Sequence, residues 1–237
     1  MLILILAESA LERVPREIWG HPSVANSAKK RGKEPGSILL DRSIHHPAMK
    51  ELPMAEKRGR PDIVHFSLLE ALGTPLNREG LLKIYVHTIN NYIINVNPKI
   101  RLPKNYNRFV GLIEQLYERG RVPPRGEALL ELRKGSIKKL ISEVKPEYII
   151  AFTTLGKPCT ISEAIKKLST YDRPASIIGG FPHGHFTKET MELANEKLSI
   201  DPEPLEAWTV ISRLIYAYEE AISIQKKRLK QYKKKKA

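Results

Sequence analysis

The chain has 237 residues, 41% of them hydrophobic, and a formal net charge of +14. This length supports one large α/β domain with its own core, and the absence of any run of about 18 apolar residues predicts no membrane span. The single cysteine, Cys159, excludes an internal disulfide and a cysteine-based zinc cluster. No metal site is predicted, and a cytoplasmic location is expected.

The positive charge is concentrated at the end of the chain but is not confined to it. Residues 226–237 contain eight basic residues, and the rest of the chain still carries a net charge of +6. Basic proteins attract polyanions, and RNA or DNA is the usual partner. A lysine-rich end is also typical of a solvated tail, so we predict a basic, disordered tail at residues 226–237 and leave its contact with nucleic acid open.

The first segments alternate between buried patterns and basic, irregular ones. Residues 1–11 begin with an apolar run that predicts a buried strand followed by a connection. Residues 20–37, rich in Gly, Pro, Ser and Lys, predict a mobile basic loop, and residues 37–40 predict a short buried strand. The dense apolar pattern of residues 62–72 predicts a buried helix that Gly73 ends.

The middle of the chain predicts a hairpin and two helices. Residues 82–87 and 92–96 are β-prone runs around two asparagines, which tolerate the positive φ of a tight turn. We expect this β-hairpin to belong to an insertion at about 74–110. Apolar residues at helical spacing predict a helix at 106–117, and a short helix is expected at 136–143.

From residue 147 onward the pattern repeats strand, loop and helix. Predicted strands lie at 148–152 and 176–178, and predicted helices lie at 187–197 and 205–224. A further helix is expected to begin at Thr160, which opens a capping box. Units of this kind are typical of a mainly parallel sheet covered by helices, so the sequence predicts an α/β fold.

Three loops follow or lie between these elements, and in parallel sheets ligands bind beyond the carboxyl ends of the strands. The loops are residues 153–158, 179–184 and 198–205. The glycines of the middle loop suit a segment that approaches a ligand with main-chain groups. They match neither the G-x-G-x-x-G pattern nor a phosphate-binding loop, and a plain turn is the alternative.

Motifs in these loops and upstream of them resemble a known family. The motifs are GRPDIVH at 59–65, TPLN at 74–77, NPKIRLPKNYNRFVGL at 97–112, IGGFPHG at 178–184 and DPEPLEA at 201–207. In this order, over about residues 38–222, they are similar to the ribosome-biogenesis pseudouridine-N1 methyltransferases of the SPOUT superfamily. The motif at 97–112 is the specific one, because a glycine loop alone is common.

The resemblance implies a SPOUT-type α/β fold, a mainly parallel sheet flanked by helices, whose C-terminal part threads into a deep trefoil knot. It implies a single domain at 1–225 that holds S-adenosyl-L-methionine (SAM) in its knot loops and forms a homodimer. The implied activity is methylation of N1 of a pseudouridine in a small-subunit rRNA hairpin. A role in small-subunit assembly, with small-subunit ribosomal proteins as further partners, is also implied.

The resemblance also assigns roles to residues. Expected SAM-binding residues are Thr153, Thr154, Leu155, Gly179, Gly184, Ile200, Asp201, Pro202, Glu203, Pro204 and Leu205. Expected RNA-binding residues are Arg60, Asp62, Arg101, Lys104 and Arg108. A base could stack on Tyr106 or Phe109, unless these rings pack in the core.

Arg60 and Asp62 are also the catalytic candidates. The resemblance implies that they frame the target uracil, and a carboxylate such as Asp62 could assist removal of its proton. The plain structural alternative for Asp62 is a helix N-cap or an ion partner of Arg60.

Two other functions stay open at this point. A knotted methyltransferase of the same kind could act on tRNA instead of rRNA. An RNA-binding assembly factor could keep the fold without binding SAM. Methyl transfer to a pseudouridine-bearing hairpin and a titration with SAM separate these functions.

Overall fold

In the computed structural model, which describes residues 1–236, eight strands form one sheet. They are β1 (Leu2–Ser9), β2 (Leu82–Thr88), β3 (Tyr92–Val96), β4 (Arg121–Val122), β5 (Leu130–Lys134), β6 (Tyr148–Pro158), β7 (Pro174–Gly179) and β8 (Glu196–Ser199). Their order across the sheet is β4-β5-β3-β2-β1-β7-β6-β8. Neighbouring strands in the part β2-β1-β7-β6-β8 pair in parallel. On the other side of β2, strands β3, β5 and β4 extend the sheet in antiparallel pairs.

Helices cover both faces of this sheet, which confirms the predicted α/β fold. They are α1 (Pro22–Lys30), α2 (Arg42–His45), α3 (Pro61–Gly73), α4 (Pro75–Arg78), α5 (Tyr106–Arg119), α6 (Ile137–Val144), α7 (Ile161–Leu168), α8 (Lys188–Glu192), α9 (Ala207–Ala221) and α10 (Ile224–Lys236). Among the described residues, none of the helices has the length and apolar character that crossing a membrane requires.

The central strand β1 shows how the apolar pattern builds two cores. Successive side chains of a strand point to opposite faces of the sheet. Leu2, Leu4 and Leu6 pack into the larger core with α3, α5, α7 and α9. Ile3 and Ile5 pack into the smaller core on the other face, which α6 covers. Because both faces of β1 are buried, polar residues do not alternate with apolar ones along it, and its sequence is a continuous apolar run.

Local signals fix several helix ends where the sequence predicts them. The Thr160 hydroxyl accepts from the Glu163 amide at 3.2 Å, and the Glu163 carboxylate accepts from the Thr160 amide at 2.7 Å, so the predicted capping box opens α7. Asn105 accepts from the Arg108 amide at the start of α5. Gly120 ends α5 with a left-handed φ of 73°, which glycine adopts without strain.

The segment at 20–37, predicted as a mobile basic loop, contains helix α1, and its mobility stays a prediction. Two of its basic residues, Arg31 and Lys33, are held by Glu114 of α5, which is only 3% exposed. Arg31 donates to both carboxylate oxygens of Glu114 at 2.6 Å, and the Lys33 ammonium donates at 2.7 Å. The sequence does not indicate this contact, because Glu114 lies 83 residues away from Arg31 in the chain.

The hairpin of β2 and β3 forms as predicted, but it is part of the main sheet, because β2 pairs in parallel with β1. The strand predicted at 37–40 does not form. Residues 38–40 are buried, yet they make a single bridge, between Leu39 and Arg13. The trefoil knot and the insertion at about 74–110 stay predictions of the resemblance.

Two predictions about the last part of the chain are corrected. The helix predicted at 187–197 is limited to α8, and the chain then forms β8, because the open edge of β6 offers a parallel partner. The predicted helix at 205–224 is α9, followed by α10. Residues 226–236 lie in α10, and the disorder of the tail stays a prediction. Lys, Gln, Arg and Leu have high helix propensities, which favours this helix despite its charge.

Candidate functional site

A cavity of about 270 Å³ lies at the carboxyl ends of β7 and β8, beside the middle of β6. From β6 it is lined by Thr153 and Thr154, from the segment after β7 by residues 181–186, and from the segment after β8 by residues 200–205 apart from Pro202. The first turn of α9 completes the wall. Parallel strands end at the same edge of a sheet, and this brings segments that are far apart in sequence to one cavity.

Nine of the eleven residues expected to bind SAM line this cavity. They are Thr153, Thr154, Gly179, Gly184, Ile200, Asp201, Glu203, Pro204 and Leu205. Leu155 and Pro202 do not line it, and the Leu155 side chain is 63% exposed. Leu155 belongs to a bulge, because β6 continues past Phe152 to Pro158 with a register shift against β8. The predicted loop at 153–158 is therefore a bulged part of a strand.

The cavity walls also contain residues that the sequence analysis did not select. They are Phe152, Ile178, Phe181, Pro182, His183, His185, Phe186, Leu198, Ser199, Ala207 and Val210. Phe181 and Phe186 meet edge to face, with 5.4 Å between ring centroids. Their position in the loop directly after a buried strand was the available signal. Apolar side chains in such a loop must find a packing partner, and here they form the wall.

The glycines around the cavity are required by close contacts. A Cβ on Gly180 would lie 2.9 Å from the Ser9 Cα and 2.8 Å from the Ser9 Cβ. Gly184 has a φ of +89°, and a Cβ there would lie 3.3 Å from the Cε of Lys57. A side chain at Gly180 would displace the loop, and one at Gly184 would be strained by the positive φ.

A buried ion pair between Lys57 and Glu8 packs against the glycine loop at 179–184. The Lys57 ammonium donates to the Glu8 carboxylate at 2.7 Å and lies 4.3 Å from the centroid of the Phe181 ring. Glu8 also accepts from the Thr187 amide at 2.8 Å and from the Thr190 hydroxyl at 2.7 Å. A buried charge is tolerated only when it is paired and hydrogen-bonded, and Glu8 has four such partner groups, including the Thr187 hydroxyl.

These contacts predict an acid sensitivity of the fold. Burial raises the pKa of the Glu8 carboxyl, but the hydrogen bonds from Lys57, Thr190 and Thr187 outweigh burial and hold it below the ordinary value of 4.5. A carboxyl with a lowered folded-state pKa stabilises the fold above its unfolded pKa, and this stability is lost as the pH falls through the folded pKa. We expect the free energy of unfolding to fall as the pH is lowered below about 5.

Urea unfolding at several pH values between about 7 and 3 measures this effect. Glu8→Gln should be less stable than the wild type at neutral pH and should show a smaller loss on acidification. Glu56→Gln is the matched control, because Glu56 is exposed, and it should leave the wild-type slope intact. An unchanged slope in Glu8→Gln would contradict the assignment.

Arg60 and Asp62 form an ion pair at the start of α3. The Arg60 Nε donates to Asp62 Oδ1 at 2.8 Å and its Nη2 donates to Oδ2 at 2.7 Å. About a third of each side chain is exposed, 33% for Arg60 and 27% for Asp62. The hydrogen bond to Asp62 raises the pKa of Arg60. Asp62 is an ion partner and not the N-cap of α3, a position that Arg60 occupies.

This ion pair lies beside the start of α9. Phe66 of α3 packs edge-on against Trp208 of α9, with 5.3 Å between ring centroids. The charge of Glu206, directly before α9, contributes to the raised pKa of Arg60. Since the first turn of α9 also lines the cavity, the ion pair and the cavity share this helix end as a neighbour.

The other three expected RNA-binding residues, Arg101, Lys104 and Arg108, are all exposed. They lie on the segment that leads into α5 and on its first turn. The two candidate stacking rings point elsewhere. Phe109 is fully buried, and the Tyr106 hydroxyl donates to the Asp41 carboxylate. Burial, followed by this hydrogen bond, raises the pKa of Tyr106. Phe109 is therefore a core residue, while Tyr106 is partly buried and held by its hydroxyl.

Fold and site together define an α/β protein with a ligand cavity at the ends of parallel strands and exposed basic residues on a separate segment. A model of the EMG1/NEP1 methyltransferase family matches residues 4–219. The chain therefore belongs to the EMG1/NEP1 methyltransferase family. This confirms the family resemblance found in the sequence motifs.

Relatives of known designation are similar over nearly the whole chain. The chain is 48% identical over 225 residues to "Ribosomal RNA small subunit methyltransferase Nep1" of Staphylothermus marinus, which covers 93% of this chain and 96% of that protein. It is 46% identical to the protein of the same designation from Thermococcus sibiricus, over 94% of this chain and 99% of that protein. The crystal structure of Archaeoglobus fulgidus Nep1 bound to S-adenosylhomocysteine is similar with a TM-score of 0.83 and 39% identity, over 93% of this chain and 98% of that one.

Proposed function

We propose that this chain is a SAM-dependent methyltransferase that methylates N1 of a pseudouridine in small-subunit rRNA and assists assembly of the small subunit. The observation that carries the proposal is the convergence of three sequence-distant segments on one cavity, beside an arginine–aspartate pair. The names of the relatives, small-subunit rRNA methyltransferases, and the S-adenosylhomocysteine in the Archaeoglobus fulgidus protein support the same function.

The cavity fits SAM by the chemistry of its walls. Gly184 has a φ of +89°, which glycine adopts without strain, and without a Cβ its main chain can approach a ligand closely. Ile200 and Leu205 provide apolar surface, and main-chain groups of residues 200–205 provide donors and acceptors for an adenine edge. Bound SAM supplies a methyl group on a sulfonium, which needs no further activation.

The protein then has to position a nucleoside and to take one proton. Arg60 and Asp62 frame the target base once it has left its stack, and the Asp62 carboxylate accepts a hydrogen bond from the ring nitrogen that loses its proton. Holding the nitrogen in line with the methyl group supplies much of the rate enhancement. Arg101, Lys104 and Arg108 contact phosphates on either side, which offsets the cost of everting the base.

The remaining parts of the proposal follow from the family. We place the protein in the cytoplasm as a homodimer, with a small-subunit rRNA hairpin as substrate and small-subunit ribosomal proteins as further partners. The helical end at 226–236 adds positive charge that attracts the same RNA.

Two measurements test the proposal. Isothermal titration with S-adenosylhomocysteine should give a dissociation constant of about 10 µM or tighter. Methyl transfer should occur on a small-subunit rRNA hairpin that contains pseudouridine, and not on the same hairpin with uridine. Failure to bind S-adenosylhomocysteine would favour a non-catalytic assembly factor. Methylation of tRNA in place of the hairpin would favour a tRNA enzyme.

A further inference from the structure

The segment at 97–104, between β3 and α5, has no regular secondary structure. It carries three exposed basic residues, of which Arg101 and Lys104 are expected to bind RNA. An irregular segment has no ladder of backbone hydrogen bonds to fix its course. Arg101 and Lys104 can meet an RNA backbone at defined positions only if something else fixes their main chain. Ile100 and Leu102 are buried in the core, and Asn97 bonds to Ala128 and Leu129. Two buried polar side chains, from α3 and α4, hold the segment near its ends.

His65 of α3 holds the end of the segment. Its Nε2 lies 2.7 Å from the Pro103 carbonyl oxygen, and because a carbonyl only accepts, this ring nitrogen donates. The side chain is 1% exposed. The ring also stacks on Phe109 of α5, with 4.3 Å between centroids and an interplanar angle of 18°. The imidazole is thus fixed in orientation while it makes its hydrogen bond.

Asn77 of α4 holds the beginning of the segment. Its Nδ2 donates to the Pro98 carbonyl at 3.0 Å and to the Leu72 carbonyl of α3 at 3.1 Å. Asn77 is 6% exposed, so both bonds lie out of water. Arg101 is therefore located between two main-chain carbonyls, Pro98 and Pro103, that buried side chains hold to the α3–α4 unit.

The same helix carries the arginine–aspartate pair. Asp62 and His65 are three residues apart in α3 and lie on neighbouring turns of one surface. We infer that His65 and Asn77 are positioning residues for RNA recognition: they hold the 97–104 segment at a fixed distance from the Arg60–Asp62 pair. The inference rests on the proposed function, because it assigns the exposed residues of this segment to the RNA substrate.

Substitutions at His65 separate the hydrogen bond from the ring contact. His65→Phe keeps an aromatic ring against Phe109 and removes the donor to Pro103. His65→Gln keeps a donor at similar reach and removes the ring. Asn77→Leu removes the donor at the other end of the segment with little change in volume. Each variant is compared with the wild type for affinity to the pseudouridine hairpin, affinity to S-adenosylhomocysteine, and hydrogen exchange of the amides at 99–105.

Loss of a buried hydrogen bond should free the segment, so we expect His65→Phe and Asn77→Leu to weaken hairpin binding by about tenfold. Exchange at 99–105 should become faster, and binding of S-adenosylhomocysteine should stay within about twofold, since neither residue lines the cavity. His65→Gln should restore most of the hairpin affinity. A purely structural role predicts instead that both affinities fall together.

Unchanged exchange at 99–105 in the folded His65→Phe and Asn77→Leu variants would overturn the inference whatever the RNA result. Faster exchange with unchanged hairpin affinity would overturn the role in recognition. Arg101→Ala tests the proposed function separately. If the wild type binds no hairpin, the proposed function fails and the role in recognition falls with it. The exchange data then decide whether the two residues position the segment at all.

Discussion

Gly156→Ala is expected to abolish binding of S-adenosylhomocysteine at concentrations where the wild type is saturated. A Cβ on Gly156 would lie 2.5 Å from the backbone nitrogen and carbonyl carbon of Leu198 and 2.6 Å from its Cα. These atoms are main chain, so no side-chain rotation relieves the overlap. Strand β8 would have to move away from β6, and the segment at 200–205 that lines the cavity directly follows β8. We expect an affinity loss of at least about 100-fold, which corresponds to about 2.7 kcal/mol.

Isothermal titration measures this loss, and Gly111→Ala is the matched control. A Cβ on Gly111 in α5 would meet no heavy atom within 4 Å outside the backbone of its own helix. Alanine is favoured over glycine in a helix interior, so Gly111→Ala should bind S-adenosylhomocysteine normally and be more stable by up to about 1 kcal/mol. Near-normal affinity in Gly156→Ala would mean that the β6–β8 contact does not set the shape of the cavity.

Elements with a local signal could be predicted from the sequence. The apolar run of β1, the capping box of α7 and the two asparagines of the β2–β3 hairpin each specify a structure over a few residues. Elements that depend on a distant partner could not be predicted. Strand β8 follows α8 closely and forms only because the edge of β6 is available to it. The two-residue strand β4 likewise exists only through its pairing with β5.

The candidate site divides in the same way. The segments that line the cavity were found because their motifs are contiguous in sequence. Leu155 lies outside the cavity wall because it belongs to a bulge, and the bulge arises from the register of β6 against β8. Glu8 and Lys57 were missed because they are 49 residues apart and become a pair only when the segment before α3 packs over the end of β1.

Buried acids organise the basic segments of this protein. Glu8 holds Lys57, Glu12 holds Arg58 through two bonds of 2.7 Å, and Glu114 holds both Arg31 and Lys33. In sequence these stretches appear as irregular, positively charged loops. In the structure each stretch has a buried acidic partner: Glu8 on β1, Glu12 just after β1, or Glu114 on α5. The exposed cations at 101–108 are therefore a separate surface. Removing one of these buried acids should therefore lower the free energy of unfolding, with a smaller effect on RNA binding.

Asp62→Asn is expected to slow methyl transfer in a single turnover by about 100-fold at saturating SAM and hairpin. The amide cannot take a proton, and it replaces one of the two charge-assisted bonds to Arg60 with a weaker or repulsive contact. Asp62 does not line the cavity, so affinity for S-adenosylhomocysteine should be unchanged. Arg60→Lys keeps the charge and loses the bidentate geometry, and it should give an intermediate rate.

The control for Asp62→Asn is Glu127→Gln, which removes an ion pair of similar type from the surface. Glu127 pairs with Lys99 at 3.1 Å, but its side chain is 60% exposed and that of Lys99 is 71% exposed. Exposed pairs contribute little, so the rate should change by less than about twofold. A wild-type rate in Asp62→Asn would remove Asp62 from the chemistry. Equal losses of rate and of S-adenosylhomocysteine affinity would show that the pair maintains the fold around α9 instead of framing the base.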